Sequence, residues 1–327
     1  MKKFLIALLS IIMVLTMVAC GGATDNGGNK GASKMSMGTG GPQGTYYAYG
    51  GILSRYMKDN ANIAVTAVST GGSKANIQGI DIGDYQLGTV QSDVMDYAWR
   101  GVRSFEEDGK VDTFRTIAGL YAEAVQLVTT NPNIKTVADL KGKKVSIGAP
   151  GSGVYFNAID VLAAAGLTEE DIKAQYQDFG QSADSLKDGK IDAAFVVAGA
   201  PTPAITELCM TNTKARIVPI DGAIADKLMK NNTFYSVYKI PANTYANQDA
   251  EVTTVTVKAT LIVSADATED DVYNLTKAIF DNIAAITKEH AKGAELSLEN
   301  ATEGLTVPFH AGAAKYFKEK GIEVATK

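Results

Sequence analysis

Histidine and cysteine are almost missing from this chain, with two of each in 327 residues. His290 and His310 have no second donor at close spacing, and no His-Glu-x-x-His or Cys/His cluster is present, so a metal site lacks its ligands. Cationic excess is missing too: 31 Lys and Arg stand against 36 Asp and Glu, a net charge of −5, which argues against a nucleic-acid partner. Nucleotide motifs are incomplete. Gly148-Ala149-Pro150-Gly151-Ser152-Gly153 lacks the Gly-Lys-Ser/Thr ending of a phosphate loop, no Gly-x-Gly-x-x-Gly occurs, and Gly71-Gly72-Ser73-Lys74 lacks the spaced upstream glycine. Gln91-Ser92-Asp93 offers a serine without the Gly-x-Ser-x-Gly elbow of a hydrolase. Neither a catalytic residue, a metal nor a cofactor is expected. After Cys20 no apolar run is long enough to cross a membrane.

What is present begins with an address. Lys2 and Lys3 precede an apolar run over residues 4–18, broken only by Ser10 and Thr16. At about 15 residues it is short for a membrane span, which needs about 20, and it reads as a secretory signal over 1–19. A short uncleaved anchor is the alternative. Met17-Val18-Ala19-Cys20-Gly21 resembles the bacterial lipobox, although leucine is commoner where Met17 stands. The resemblance implies lipidation of Cys20 and a place on the outer, extracytoplasmic face of the cell membrane, since two or more acyl chains anchor stably. Residues 20–34 then form a Gly-rich flexible linker. Cys209 is left without a disulfide partner. It lies in the apolar stretch Ile205-Thr206-Glu207-Leu208-Cys209 and reads as a buried, inert thiol.

From Lys34 onward short β-rich runs alternate with helical stretches, which indicates an α/β fold. Strands are expected over 35–38, 63–68, 86–90, 125–129, 144–147, 193–197, 216–219 and 253–263. Helices are expected over 46–58, 153–165, 184–187 and 270–290, the last with Val272, Leu275, Ile279, Ile283 and Ile286 on one face. An internal echo runs through this pattern. Gly40, Gly41, Gly44, Thr45 and Tyr46 lie in a glycine loop that leads from a strand into a helix. About a hundred residues further on, Gly151, Ser152, Gly153 and Tyr155 do the same. Thr70-Gly71-Gly72-Ser73 and the strand into Gln91-Ser92-Asp93 are echoed by Phe179-Gly180-Gln181-Ser182 and the strand into Ala198-Gly199-Ala200-Pro201. Two equivalent α/β units predict two facing lobes.

Helix starts carry N–H groups without partners, and glycines let a ligand approach them. A carboxylate can thus be held without an arginine. The expected ligand residues are Gly40, Gly41, Gly44, Thr45, Tyr46, Gly72, Ser73, Gln91, Ser92, Glu123, Gly151, Ser152, Gly153, Tyr155 and Gly199. Ser73, Ser92 and Ser152 would donate hydroxyls. Tyr46 and Tyr155 would wall the site or pack into their own lobes. Glu123 would receive an amino group or face solvent. His310 is expected to start the last helix, Asp93 to cap a helix, and His290 to sit as a cation at a helix C-terminus.

Taken together, residues 38–47, Thr70-Gly71-Gly72-Ser73, Val90-Gln91-Ser92-Asp93, 140–153, Pro201-Thr202-Pro203-Ala204, Leu298-Glu299-Asn300-Ala301 and the closing Phe309-His310-Ala311-Gly312 resemble substrate-binding proteins of the TAXI type, receptors of certain TRAP transporters. Proline is commoner where Ala311 stands. The resemblance implies a type II periplasmic-binding-protein fold with two chain crossovers, near 124–129 and 235–242. Lobe one would be 35–125 with 241–327, and lobe two 126–240. It also implies a small carboxylate or amino-acid ligand, glutamate and glutamine among them, and as partner a membrane permease driven by an ion gradient. A receptor feeding an ATP-driven importer is the alternative, and a sensor or enzyme a more distant one. Sister receptors clamp ligand with an arginine; none of Arg55, Arg100, Arg103, Arg115 or Arg216 lies in these loops.

Overall fold

The computed structural model describes residues 33–327. The leader over 1–19, Cys20 and the linker as far as residue 32 lie outside the described residues. The strands are β1 (Ser33–Gly38), β2 (Ile63–Val68), β3 (Leu87–Gln91), β4 (Phe114–Thr129), β5 (Lys144–Ser146), β6 (Lys173–Gln175), β7 (Ala193–Ala198), β8 (Arg216–Val218), β9 (Ser236–Ile240) and β10 (Val252–Ser264). Helices α1 (Thr45–Ala61), α2 (Ser73–Asp81) and α3 (Ser92–Arg100) serve the first unit. α4 (Val154–Ala164), α5 (Phe179–Lys187), α6 (Pro203–Thr211) and α7 (Gly222–Asn231) serve the second. The chain closes with α8 (Glu269–Phe280), α9 (Ile283–Glu289), α10 (Leu298–Thr302) and α11 (Ala311–Glu319).

Both units use one strand plan. In the first, β2-β1-β3 run parallel, β10 joins antiparallel to β3, and β4 pairs antiparallel with β10. In the second, β6-β5-β7 run parallel, β4 joins antiparallel to β7, and β8 pairs antiparallel with β4. The result is a mixed α/β, two-lobe fold of the periplasmic-binding-protein kind. Alternate residues of a strand face opposite sides, and β4 is buried on both. Val125 and Leu127 join the cluster beneath α4 and α7, while Ala124 and Val128 join the one beneath α5 and α6. That is why the run is apolar throughout instead of alternating.

Both crossings lie inside long strands. β4 exchanges its partner β10 for β7 at Ala124, which pairs with Thr256 and with Ala198. β10 makes the return. Val255 and Val257 pack in the second lobe, whereas Ala259, Leu261 and Val263 pack in the first with α1, α8 and α11. The expected return near 235–242 therefore moves to about Val257, and Tyr245 and Val252 belong with Leu208 and Ile217 of the second lobe. No change of composition marks a crossing that occurs within a continuous ladder.

Three further expectations change: the helix expected over 184–187 begins at Phe179, capped by Asp178, and two more elements differ. The strand expected at 125–129 begins at Phe114. The helix expected over 270–290 is two, parted at Asp281 and Asn282, where Asn282 leaves helical geometry and its side chain bonds back to the Ala278 carbonyl. The apolar face survives the break, with Val272, Leu275, Ile279 and Ile286 all in the first-lobe core. Cys209 is buried on α6, and burial pushes its thiol up to about 11. His310 caps α11, its Nδ1 accepting from the Gly312 N–H at 3.2 Å. His290 is not a cation: burial and nearby Lys292 hold its pKa down, and its Nδ1 accepts from the Lys292 N–H.

α8 and α11 meet at backbone distance through Gly312. A Cβ there would stand 2.6 Å from the Tyr273 nitrogen and closer still to the Glu269 carbonyl oxygen. Neither neighbour can rotate away. Gly312→Ala is expected to destabilise the protein by about 1–3 kcal/mol, read as a lower urea midpoint at unchanged slope.

Candidate functional site

The carboxyl ends of the parallel strands in the two units face each other, the position where open α/β sheets bind ligands. The loops leaving those strands enclose a cavity of about 550 Å³, within the range of small-molecule sites. From the first lobe, Gly40, Gly41, Gly44, Thr45 and Tyr46 contribute through the β1–α1 loop. Gly72 and Ser73 come from the β2–α2 loop, Gln91 from the end of β3 and Glu123 from the middle of β4. The second lobe supplies Ser152 and Gly153 before α4, and Asp178, Phe179, Gly180, Gln181 and Asp184 around the start of α5. Helices α1, α2 and α4 begin here with glycine N-caps and no side-chain cap. Their first-turn N–H groups are suited to an anion.

Four of the expected residues stand elsewhere. The Ser92 hydroxyl accepts from the Lys258 N–H at 3.2 Å, behind the wall. Tyr155 turns into its own lobe, donating to Glu169 at 2.7 Å and packing edge-on to Phe156. Gly151 and Gly199 form the seam between lobes. The Gly151 carbonyl accepts from the Ala75 N–H at 3.2 Å, and the Gly199 carbonyl accepts from the Thr45 hydroxyl at 2.9 Å. Asp93 lies within the first turn of α3 and is not its cap. Its Oδ2 accepts from Asn157 Nδ2 across the seam at 2.9 Å, and burial pushes its carboxyl up to about 6.

The seam explains more of the glycines than ligand access does. A Cβ on Gly71 would stand 2.8 Å from the Pro150 carbonyl oxygen, and one on Gly153 would stand 2.6 Å from Val94 Cγ2. Side chains there would prop the lobes apart. Polar contacts close the remaining distance. Gln91 Nε2 donates to Asn157 Oδ1 at 2.5 Å, and Arg103, lying over the rings of Tyr97 and Phe156, pairs with Asp160 at 2.7 Å. The lobes are shut on each other.

Among the described residues the cavity wall carries no lysine or arginine, while Glu123, Asp178 and Asp184 are on it. Glu123 is 1 % exposed and Tyr46 donates to its Oε2 at 2.8 Å. Burial pushes its carboxyl up to about 8, against the lowering pull of the Tyr46 hydrogen bond and of Lys292, with Asp93 raising it further. Lys292 is the buried charge behind the wall that sequence reasoning passes over. Its stem is buried against Gly199 and its ammonium reaches Glu295 at 2.6 Å and the Tyr238 hydroxyl at 3.0 Å. Asp178 and Asp184, at the start of α5 beside the echo Phe179-Gly180-Gln181-Ser182, carry no sequence signal of their own; Asp178 serves as the helix N-cap, accepting from the Gln181 N–H.

A family model described as the NMT1-like family matches residues 37–321. The chain belongs to the NMT1-like family. This is a family of extracytoplasmic solute-binding proteins and not of enzymes. Among solved structures, a protein of Bordetella bronchiseptica RB50 is 19% identical, over 88% of this chain and 89% of that one, with a TM-score of 0.53. A candidate L-cystine ABC transporter protein from Listeria monocytogenes is 16% identical, over 81% and 98%, with a TM-score of 0.50. The alkanesulfonate-binding protein SsuA of Xanthomonas axonopodis pv. citri, bound to MOPS, is 15% identical over 88% and 91%, with a TM-score of 0.49. The first two share the two-lobe fold with this member of the NMT1-like family; identities this low speak to fold alone. Among the described residues no helix is long and apolar enough to cross a membrane.

Closure of this NMT1-like protein depends on the missing Cβ of Gly153. Gly153→Ala is expected to leave urea stability within about 1 kcal/mol, because the steric conflict is across the seam and opening relieves it. Small-angle scattering should report a larger radius of gyration than for the wild type.

Proposed function

We propose that this protein is the receptor for a small carboxylate, either an amino acid of the glutamate or glutamine kind or a dicarboxylate. In this reading it delivers its ligand to a TRAP membrane permease from a lipid anchor on Cys20. The observation that carries the ligand class is the wall of the shut cavity. Three glycine-started helices without side-chain caps, from both lobes, surround a space without a cationic side chain. A carboxylate there is held by backbone N–H groups and the Ser73 hydroxyl, since the Thr45 and Ser152 hydroxyls are donated to the Gly199 and Ala149 carbonyls. The wall residues Gly40, Gly41, Gly44, Thr45, Tyr46, Gly72, Ser73, Gln91, Glu123, Ser152 and Gly153 are proposed to make the contacts.

Delivery follows from closure. A ligand that touches both lobes binds the shut form better than the open one, and only that difference moves the equilibrium. A micromolar affinity is about 8 kcal/mol, and a differential of about 5.5 kcal/mol takes a population from 1:99 to 99:1. The shut form is what a permease can distinguish from the empty receptor. The choice of a TRAP partner rests on the TAXI-type motifs, including Thr70-Gly71-Gly72-Ser73 and Val90-Gln91-Ser92-Asp93. An ATP-driven importer is the competing partner, since a structural neighbour carries that description. Ligand uptake that survives ATP depletion and collapses with the ion gradient supports the TRAP partner; the reverse pattern supports the importer.

The ligand class is tested by thermal shift against L-amino acids, dicarboxylates, uncharged sugars and cations. A true ligand at 100 times its Kd stabilises by about 2.7 kcal/mol, a rise of several degrees in Tm. A panel in which only uncharged sugars or cations raise the Tm would overturn the carboxylate reading.

A further inference from the structure

One oxygen of the cavity is left without a partner. Glu123 Oε2 accepts from the Tyr46 hydroxyl, but Oε1 has no hydrogen-bond partner among the described residues and stands on the cavity wall. The side chain is almost wholly buried, yet this oxygen is not among the sealed unpartnered atoms of the described residues: it opens to the cavity, where a water or a ligand group can meet it. A buried carboxylate with an open lone pair is costly unless a cation or donor meets it. We propose that Glu123 Oε1 is the seat of a ligand ammonium group, and that seating the ammonium expels a proton from the Glu123 carboxyl to solvent. This rests on the receptor reading above and narrows its ligand to an amino acid, setting aside the dicarboxylates.

The surroundings support both halves. Glu123 faces Tyr46 from α1, Tyr121 on its own strand, Asp93 from α3 and Lys292 from the turn after α9; β10 opposes it with the uncharged Val257. Lys292 is already engaged by Glu295 and Tyr238. Asp178 and Asp184 add further acid to the opposite wall. The nearby protein thus offers Glu123 no ion-pair partner of its own, and burial holds its carboxyl up at about 8. At neutral pH burial favours the protonated form in the empty shut site. An ammonium beside Oε1 favours the ionised form and lowers that pKa. The ligand keeps its own proton and the carboxyl loses one. Affinity for an amino acid must then rise with pH, by close to tenfold per unit, until the pKa of the empty site is passed. A ligand without the amine meets the opposite trend. It needs the protonated carboxyl as a donor and is repelled once Glu123 ionises.

Calorimetry with the twenty L-amino acids and with their deaminated counterparts, 2-oxoglutarate and succinate included, tests this on the intact folded protein. Titrations at pH 7 in buffers of different ionisation heat count the protons. The expected result is an amino acid that binds with nearly one proton released, and with roughly tenfold weaker affinity per pH unit from 7.5 down to 5.5. In Glu123→Gln the proton release should vanish and affinity should fall at least tenfold. The ligand-free melt of that variant should match or exceed the wild type, since Gln removes a buried titratable group without changing its shape. If the variant does not fold, the wild-type proton count still decides. Amino-acid binding with no proton released, unchanged affinity in Glu123→Gln, or preference for a deaminated acid would each overturn the ammonium seat while leaving the receptor reading intact. If nothing in the panel binds, the carboxylate-receptor reading falls and the ammonium seat falls with it.

Discussion

The antiparallel ladder between β4 and β10 is the constraint on which the rest depends. At 16 and 13 residues these strands are two to three times the usual length, and each serves as the inserted strand of one lobe and a flank of the other. Their shared register, Glu123 opposite Val257 and Ala124 opposite Thr256, sets the waist of the molecule. Everything outside that ladder divides. Three of the four apolar clusters lie within one lobe and the fourth takes in only Phe156 from across the seam, edge-on to Tyr97; the other contacts across the cleft are hydrogen bonds, an ion pair with its cation over aromatic rings, and glycine backbone. Apolar area, at about 25 cal/mol per Å², is what makes a core irreversible on a working timescale. A polar seam at about 1 kcal/mol net per hydrogen bond, with water ready to replace each one, can open without unfolding either lobe.

The sequence made the architecture legible because the two lobes repeat it. Gly38 to Tyr47 and Gly148 to Phe156 turn out to be equivalent loops, after β1 and after β5, while Thr70-Gly71-Gly72-Ser73 leads into α2 and Phe179-Gly180-Gln181-Ser182 forms the first turn of α5. Order preserved across a repeat survives errors in any one element. What was not legible was direction. Ser92 and Tyr155 sit next to residues of the cavity wall, but the first residue of a helix after a strand points where the local turn sends it. Ser92 Oγ meets β10 and Tyr155 meets Glu169. Sequence spacing fixes the loop and leaves the side of the loop open. The start of β4 was hidden for a different reason. Gly119 is small because the Asn300 carbonyl and the Lys258 stem lie close on that strand, and with Ala118, Ala122 and Ala124 it dilutes the β-branched signal of Thr116 and Ile117.

Lys292 shows the limit of motif reading more sharply. In the sequence it is one lysine among many, between His290 and Gly293. In the fold it is 1 % exposed, its stem fills the space left by the missing side chain of Gly199, and its charge is spent on Glu295 and the Tyr238 ring. Tyr238 belongs to β9 and Lys292 to the closing segment of the first lobe, so the contact ties the end of the chain to the far side of the waist. Nothing in local composition predicts a pairing set by topology.

The same topology gives the cleft its sign. Lysines and arginines near the waist are consumed by structural partners, Lys292 by Glu295, Arg103 by Asp160 and Lys258 by the carbonyls of Asn300 and Glu303. The cavity keeps its acids and its helix starts. Helix starts and carboxyl groups both lose hydration when the lobes shut. Shutting the lobes on nothing leaves those groups short of partners; opening returns them to solvent. On the proposed reading, a solute carrying charge of both signs at the matching separation replaces the lost water. Selectivity and closure thereby share one cause, because the arrangement that recognises the solute is also what makes the shut state unfavourable without it.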